Sequence, residues 1–241
     1  MTLPIDQIIV GDCLEVMKDW PDNCVKLTVT SPPYNIGIEY ESYSDNIDWY
    51  EFISWNRLVL RELKRVSEHI VWIIGSQNNA EYLTQLRPTL EEIKPYKVIY
   101  APRYLYTNPV ELAIYLWPEK WSWNGRHKPP LLLNGQTPHW LPVIFGKVEN
   151  LYGGHPATFP ERYPTYFIES FTDENDLILD CFSGTGTTCF VAKTMDRSYI
   201  GIDISEEYCE IARQRLEAVD TGVPVKEQRK GQQALFPKDN Q

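Results

Sequence analysis

The spacing of apolar residues predicts short strands alternating with amphipathic helices. Gln7 to Val10 is an apolar run stopped by Gly11-Asp12. Val25 to Thr30 (VKLTVT) alternates β-branched and polar positions before a Pro-Pro pair. From Asp48 to Val66 the period becomes helical: Trp49, Phe52, Ile53, Val59, Leu60, Leu63 and Val66 share a face, and Asp48 with Glu51 makes a capping box. Ile70 to Ile74 (IVWII) reads as a buried strand. Glu81 to Glu92 is helical in parts, with a break expected at Pro88. Tyr96 to Tyr100 and Glu111 to Trp117 are further strands. Leu177 to Asp180 and Tyr199 to Asp203 flank a helix from Thr187 to Met195. Ser205 caps a last helix, with Glu206 and Glu207 in its first turn and Arg213 and Arg215 near its end. This alternation predicts an α/β fold with a doubly wound, mostly parallel sheet.

Periodicity fades between residues 101 and 165, where ten prolines, four tryptophans and three of the four histidines fall. Such a stretch is either a surface excursion with a small core of its own or a recognition segment, because binding residues concentrate on irregular segments held by a rigid scaffold. The division expected is residues 1–100 and 154–219 as two halves of one domain and 101–153 as an irregular insert. A polar tail, rich in Gln and Lys, is expected to be disordered over 220–241.

Composition narrows the class. A chain of 241 residues with 43% apolar content suits one α/β domain with a small insert. No apolar run approaches the roughly 18 residues of a membrane span, and MTLPIDQIIVGD lacks the regions of a signal peptide. Five cysteines without a C-x-x-C spacing read as free thiols in a reducing cytoplasm. The net charge of −10 opposes binding to nucleic acid through overall charge. Either such binding is confined to a local basic face, for which Arg126-His127-Lys128 with Arg103, Lys120 and Lys147 nearby is the candidate, or the substrate is not nucleic acid.

Two segments carry chemistry. In the second half, the strand LILD runs into Asp180-Cys181-Phe182-Ser183-Gly184-Thr185-Gly186-Thr187-Thr188 and then a helix. The glycines allow a tight turn and a close backbone approach to a ligand. Asp203 follows Gly184 by 19 residues, at the end of the next strand, where an acid can accept from both hydroxyls of a ribose. The third glycine of a dinucleotide pattern is replaced by Cys189, which disfavours a nicotinamide cofactor. In the first half, Thr30-Ser31-Pro32-Pro33-Tyr34-Asn35 ends a strand. Two prolines fix φ and remove two N–H groups, so the Pro32 carbonyl has no ladder partner to serve. An amine conjugated to an aromatic ring is a poor nucleophile. Two acceptors on its hydrogens, Ser31 Oγ and Pro32 C=O, would draw the nitrogen towards tetrahedral geometry, and Tyr34 would stack on the ring. A plain Pro-Pro turn and a plain tight glycine turn are the alternatives.

TSPPYN read with DCFSGTGTT resembles the amino-methyltransferases of DNA, which make N4-methylcytosine or N6-methyladenine. Ile9-Val10-Gly11-Asp12-Cys13-Leu14, His155-Pro156-Ala157-Thr158-Phe159-Pro160 and Tyr199-Ile200-Gly201-Ile202-Asp203 resemble further segments of that family. The catalytic turn precedes the cofactor turn, as in the circularly permuted beta group. Cys181 stands where Pro is usual, and Asp203 where Glu is common. The resemblance implies a Rossmann-like methyltransferase fold and S-adenosylmethionine as cofactor. It implies Ser31, Pro32, Pro33 and Tyr34 as catalytic residues. It places Asp12, Asp180, Phe182, Gly184, Gly186, Thr187, Thr188, Asp203, Ile204, His155 and Pro156 on the cofactor. No metal is needed, because the sulfonium is itself a strong electrophile.

Double-stranded DNA with a flipped target base is the implied partner. Arg126, His127, Lys128, Trp121, Trp123 and Trp140 are candidate DNA contacts, with simple packing the alternative for each tryptophan. In the family that the motifs resemble, serine at the first motif position, here Ser31, goes with cytosine N4, and asparagine after the tyrosine, here Asn35, is frequent among adenine N6 enzymes. A non-DNA amide or amine substrate, or an inactive DNA-binding remnant, are weaker alternatives. Attack at cytosine C5 is disfavoured because no cysteine follows a proline. A bacterial, archaeal or phage-encoded enzyme of the cytoplasm, nucleoid-associated and with a homodimer allowed, fits this reading. Gln232-Gln233-Ala234-Leu235-Phe236 resembles the short peptides that bind bacterial sliding clamps.

Overall fold

The computed structural model describes residues 2–35, 39–40, 43–44, 46–74, 79–102, 110–116 and 161–222. An N-terminal run supplies β1 (Gln7–Val10), α1 (Cys13–Met17), β2 (Val25–Thr30), the small hairpin β3 (Glu39–Tyr40) and β4 (Tyr43–Ser44), α2 (Trp49–Val66), β5 (Ser67–Ile74), α3 (Asn79–Ile93), β6 (Tyr96–Pro102) and β7 (Val110–Leu116). A C-terminal run supplies α4 (Arg162–Phe171), β8 (Leu177–Asp180), α5 (Thr187–Thr194), β9 (Ser198–Asp203) and α6 (Glu206–Thr221).

Seven strands form one sheet in the order β1-β9-β8-β2-β5-β7-β6. Only β7 runs against its neighbours. The C-terminal run inserts β8 and β9 between β1 and β2, so the sheet begun by one half is completed by the other. That is the doubly wound, permuted architecture expected.

The strands are apolar because both faces are covered. Ile70, Trp72 and Ile74 of β5 pack with Phe52, Leu60 and Leu63 of α2 and Leu86 and Leu90 of α3, while Val71 and Ile73 face the opposite cluster, with Phe167, Ile168 and Phe171 of α4 and Ala212 and Leu216 of α6. Each fully buried aliphatic side chain contributes about 1.5–3 kcal/mol. α2 begins as expected, Asp48 Oδ1 accepting from the Tyr50 and Glu51 amides at 2.9 and 3.2 Å.

Several expectations need correction. Pro88 does not break its helix: α3 runs through it from Asn79 to Ile93. The cost of an interior proline, about 3 kcal/mol, is offset by burial of Tyr82, Leu86, Thr89, Leu90 and Ile93 on one face. β5 starts at Ser67, where polar residues find partners on neighbouring strands: Ser67 Oγ with Thr28 Oγ1 at 2.7 Å, Glu68 with Lys26, and His69 Nδ1 with Tyr115 OH at 2.9 Å. Residues 110–116, inside the stretch assigned to the insert, are the sheet strand β7. α6 continues to Thr221 before Gly222 caps it with φ 66°, so Arg213 and Arg215 are not last-turn cations, and the first two residues assigned to the tail are helical.

The sheet has one topological switch point. From β8 the chain crosses by α5 to β9, towards β1; from β2 it crosses by α2 to β5, towards β7. β8 and β2 are parallel neighbours, pairing Leu27 with Ile178 and Thr28 with Leu179. Their carboxyl ends therefore open the crevice in which such sheets bind ligands.

Candidate active site

Both motifs lie at that crevice, one at the end of each strand. The proline turn leaves β2 and the glycine turn leaves β8. They are tied directly: Thr30 Oγ1, the last residue of β2, donates to Asp180 Oδ1, the last residue of β8, at 2.7 Å. Cys181 Sγ lies 3.7 Å from the same hydroxyl. Asp180 is buried and also accepts from the Phe182 amide at 3.2 Å. Burial pushes its carboxyl up to about 6, against the pull of the Thr30 hydroxyl and the Phe182 amide.

The glycine turn is fixed from several sides. The Gly186 amide donates to the Ser183 carbonyl at 2.7 Å, and Ser183 N–H donates to Ile202 of β9 at 2.9 Å. Gly184 and Gly186 have φ of 48° and 78°, a region that disfavours L side chains. Gly186 caps α5 without a side-chain bond. The first-turn amides of α5 thus have no capping oxygen from that residue, a suitable place for an anionic or carbonyl group of a ligand. Thr188 Oγ1 donates back to Val29 of β2 at 3.2 Å, and Thr187 is buried.

Asp203 ends β9 opposite Val10 of β1. Its Oδ2 accepts from the Gly184 amide at 2.8 Å and its Oδ1 from the Ser205 amide at 2.9 Å. Burial raises its carboxyl and these amides lower it. Each carboxylate oxygen has lone pairs beyond one amide bond, so two hydroxyls can still be accepted. Beside it, Ile204 is 43% exposed and Val10 37%, an apolar flank suited to a flat ring. Phe182 packs against Trp55 and Trp72, with ring centroids 5.4 and 6.0 Å away. This donor set fits S-adenosylmethionine. The acid would take the ribose hydroxyls, Ile204 the adenine, and the α5 amides the carboxylate.

Asp12, expected on the cofactor, is the N-cap of α1: its Oδ1 accepts from the Leu14 and Glu15 amides at 2.8 and 3.3 Å. It stays at the crevice because Gly11 N–H donates to the Asp203 carbonyl at 2.9 Å.

In the proline turn, Pro32 is buried and Ser31 half-buried. Ser31 Oγ donates to the Ile73 carbonyl of β5 at 3.3 Å and is hydrogen-bonded to Tyr34 OH. The hydroxyl has one proton for these two neighbours; when Ile73 takes it, the Tyr34 hydroxyl donates to Ser31 Oγ and one lone pair is left for accepting. The Tyr34 hydroxyl currently meets that acceptor, so the ring is not yet a free stacking platform. Asn35 has φ 54°, and its side chain grips Ile47 twice, Nδ2 to the carbonyl at 2.9 Å and Oδ1 from the amide at 2.8 Å. It closes a loop rather than facing the crevice.

His155, Pro156, Arg126, His127, Lys128, Trp121, Trp123, Trp140 and the Gln232-to-Phe236 tail lie outside the described residues. Sequence reasoning missed Thr30 as the link between the two turns, although a hydroxyl at a strand end beside a strand-end acid was a readable signal.

The profile of a family described as DNA methylase, grouping N6 and N4 amino-methyltransferases, matches residues 25–214. The chain belongs to the N6/N4 DNA methylase family. It is 30% identical over 243 residues to the type II methyltransferase M2.DpnII of Streptococcus pneumoniae, covering 88% of this chain and 89% of that one. It is 25% identical to M.HpaI of Haemophilus parainfluenzae, covering 90% and 76%. Among solved structures, the PvuII cytosine-N4-specific DNA methyltransferase shares the fold with TM-score 0.61 at 19% identity, covering 86% and 85%. M1.HpyAVI in complex with its cofactor shares it with TM-score 0.58 at 23% identity, covering 87% and 98%. This methylase is therefore an S-adenosylmethionine-dependent DNA amino-methyltransferase. Among its described residues no helix is long and apolar enough to cross a membrane.

Proposed function

We propose that this methylase modifies N4 of cytosine in double-stranded DNA. The observation that carries the reading is Ser31 at the first position of the proline turn, at the mouth of the crevice, its Oγ within hydrogen-bonding distance of the Ile73 carbonyl and the Tyr34 hydroxyl. The family resemblance associates a neutral serine there with cytosine. The target base leaves the duplex to reach the crevice. Ser31 Oγ and the Pro32 carbonyl accept the two amine hydrogens, which localises the nitrogen lone pair. Tyr34 turns from Ser31 to stack on the base as the amine replaces its hydroxyl. Bound S-adenosylmethionine supplies an electrophilic methyl group. The methylated nitrogen then releases one proton to water. The protein contributes orientation and preorganised acceptors.

Asp203, Ile204, Gly184, Gly186, Thr187, Thr188, Phe182 and Asp180 form the cofactor side of this reading, with Asp12 at its rim and His155-Pro156 completing it. Arg126, His127 and Lys128 are the candidate phosphate contacts of this reading, and Trp121, Trp123 and Trp140 its candidates for filling the gap that the flipped base leaves in the duplex. Local contact of this kind reconciles DNA binding with a net charge of −10. The Gln232-to-Phe236 tail docks on a sliding clamp. Capture of purified clamp by the intact tail, and not by one with Leu235 and Phe236 changed to Ala, tests that part.

Adenine N6 is the second reading, favoured by Asn35 following Tyr34. The engagement of the Asn35 side chain with Ile47 weakens its bearing on the base. Mass spectrometry of nucleosides from DNA treated with the pure enzyme decides. N4-methyldeoxycytidine is expected; N6-methyldeoxyadenosine alone overturns the assignment.

A further inference from the structure

Arg215 of α6 takes no part in the chemistry above, yet its side chain is 2% exposed and lies behind the glycine turn. Nη1 donates to the Thr185 carbonyl at 2.7 Å and to Thr187 Oγ1 at 3.2 Å. Nη2 donates to Glu161 Oε1 at 3.2 Å, and the guanidinium lies 5.0 Å from the centroid of the Phe190 ring. One helical turn earlier, Ala212 approaches the same loop so closely that a β-carbon on Gly186 would come 2.7 Å from Ala212 Cβ.

The Thr185 carbonyl belongs to the peptide that joins Thr185 to Gly186. Flipping that peptide changes only ψ of Thr185 and φ of Gly186, and glycine accepts either sign of φ. The turn's own sequence therefore does not fix which way this peptide points. A flipped peptide would withdraw the Gly186 amide from Ser183 and turn a carbonyl oxygen towards the site where the α5 amides are needed. A buried guanidinium on the Thr185 oxygen selects one orientation, because leaving that oxygen or the cation without its partner in the interior is costly.

Glu161 seats the arginine. It occupies the N-cap position of α4 but makes no capping bond with its side chain. It also directly follows residues 155–160, the segment whose His155 and Pro156 the resemblance places on the cofactor. The ion pair thus joins the exit of that segment to the glycine turn.

We propose that Arg215, held by Glu161, is a positioning residue that locks the Thr185–Gly186 peptide in the orientation that binds S-adenosylmethionine. The inference rests on the family's cofactor and not on which base is methylated. The test compares Arg215→Met, Arg215→Lys and Glu161→Gln by calorimetry with S-adenosylmethionine, by melting of the cofactor-free proteins, and by turnover at saturation. Arg215→Met is expected to bind the cofactor about tenfold more weakly, the loss of a charge-assisted hydrogen bond. Its saturated turnover should stay within about threefold of the parent. Arg215→Lys, which reaches the Thr185 carbonyl but lacks the fork, recovers part of the affinity, and Glu161→Gln shows a smaller loss. Parent-like affinity in a folded Arg215→Met protein, or a lowered melting temperature with affinity unchanged, overturns the proposal. If Arg215→Met does not fold, the other two variants decide: weakened cofactor binding in both supports it, and parent-like binding in both overturns it.

Discussion

The two turns at the switch point are built to opposite specifications. The glycine turn is held by its own Ser183–Gly186 bond, by Asp203 on Gly184, by Arg215 on Thr185, and by close packing of Gly186 on Ala212. The proline turn is held by the rigidity of its two prolines, by one long bond from Ser31 to Ile73, and by the Asn35 clamp on Ile47. The difference follows from what each receives. A soluble cofactor of one fixed shape is best met by a backbone with no freedom left. In the proposed reaction a base swung out of the duplex displaces Tyr34, whose hydroxyl is hydrogen-bonded to Ser31, the proposed acceptor for the amine. Among the described residues, the bonds from Thr30 to Asp180 at 2.7 Å and from Thr188 to Val29 at 3.2 Å keep the two in register.

Separating the two turns by mutation sharpens this contrast. Ser31→Ala removes the acceptor proposed for the amine and touches nothing on the cofactor side. Turnover should fall by about 10²–10³, the range for deleting one preorganised catalytic hydrogen-bonding group, while calorimetric affinity for S-adenosylmethionine stays at the parent value. An equal loss in both quantities would mean that the turns are not separable. Asp203→Ala should do the reverse. It deletes the acceptor proposed for the ribose hydroxyls and shown for the Gly184 and Ser205 amides, so cofactor affinity should fall about 10- to 100-fold. DNA affinity, measured by fluorescence anisotropy without cofactor, should change by less than about twofold.

The legible parts of the fold were those whose physics is local. Parallel strands covered on both faces must be apolar, so LILD, YIGID and IVWII announced themselves. Long-range packing hid the rest. Pro88 looks like a helix end until Leu86, Leu90 and Ile93 are seen buried together. α4 carries Tyr163, Phe167, Ile168 and Phe171 at helical spacing, but Pro164 and the surrounding prolines masked it. Asp12 with Glu15 three residues on reads equally as a helix start, and the structure shows it capping α1. The crevice was readable as two motifs. Their joining through Thr30, and the arginine behind the glycine turn, depended on which strand lies beside which, something no spacing within either motif encodes.

A third substitution tests the rigidity of the cofactor side. Gly186→Ala puts a β-carbon 2.7 Å from Ala212 Cβ at a residue with φ 78°. Overpacking and an unfavourable φ together should lower stability by about 2–4 kcal/mol. Urea unfolding checks this, and the paired variant Gly186→Ala/Ala212→Gly should recover the packing part while leaving the backbone part. Full loss in the paired variant would place the whole effect in the backbone.

The smallest expected effect concerns Asp180, the acid between the turns. Burial raises its carboxyl from an ordinary 3.8 to about 6, so the folded chain binds this proton more tightly than the unfolded chain does. The stabilisation from this group is complete below its unfolded value and is lost as pH rises through about 6. The loss is on the order of 1–3 kcal/mol, most of it between about pH 4 and pH 7. Asp180→Asn cannot ionise, yet its Oδ1 can still accept from Thr30 Oγ1 and the Phe182 amide, the two bonds that join and shape the turns. In urea titrations of the cofactor-free protein, the variant should be the more stable of the two at about pH 8. That advantage should shrink as pH falls towards about 4, where the parent carboxyl is protonated as well. A variant destabilised equally at both pH values would show instead that the ionised carboxylate is fully compensated by the Thr30 hydroxyl and the Phe182 amide. The link between the rigid turn and the yielding one would then be a charge held in place, and not a neutral acid.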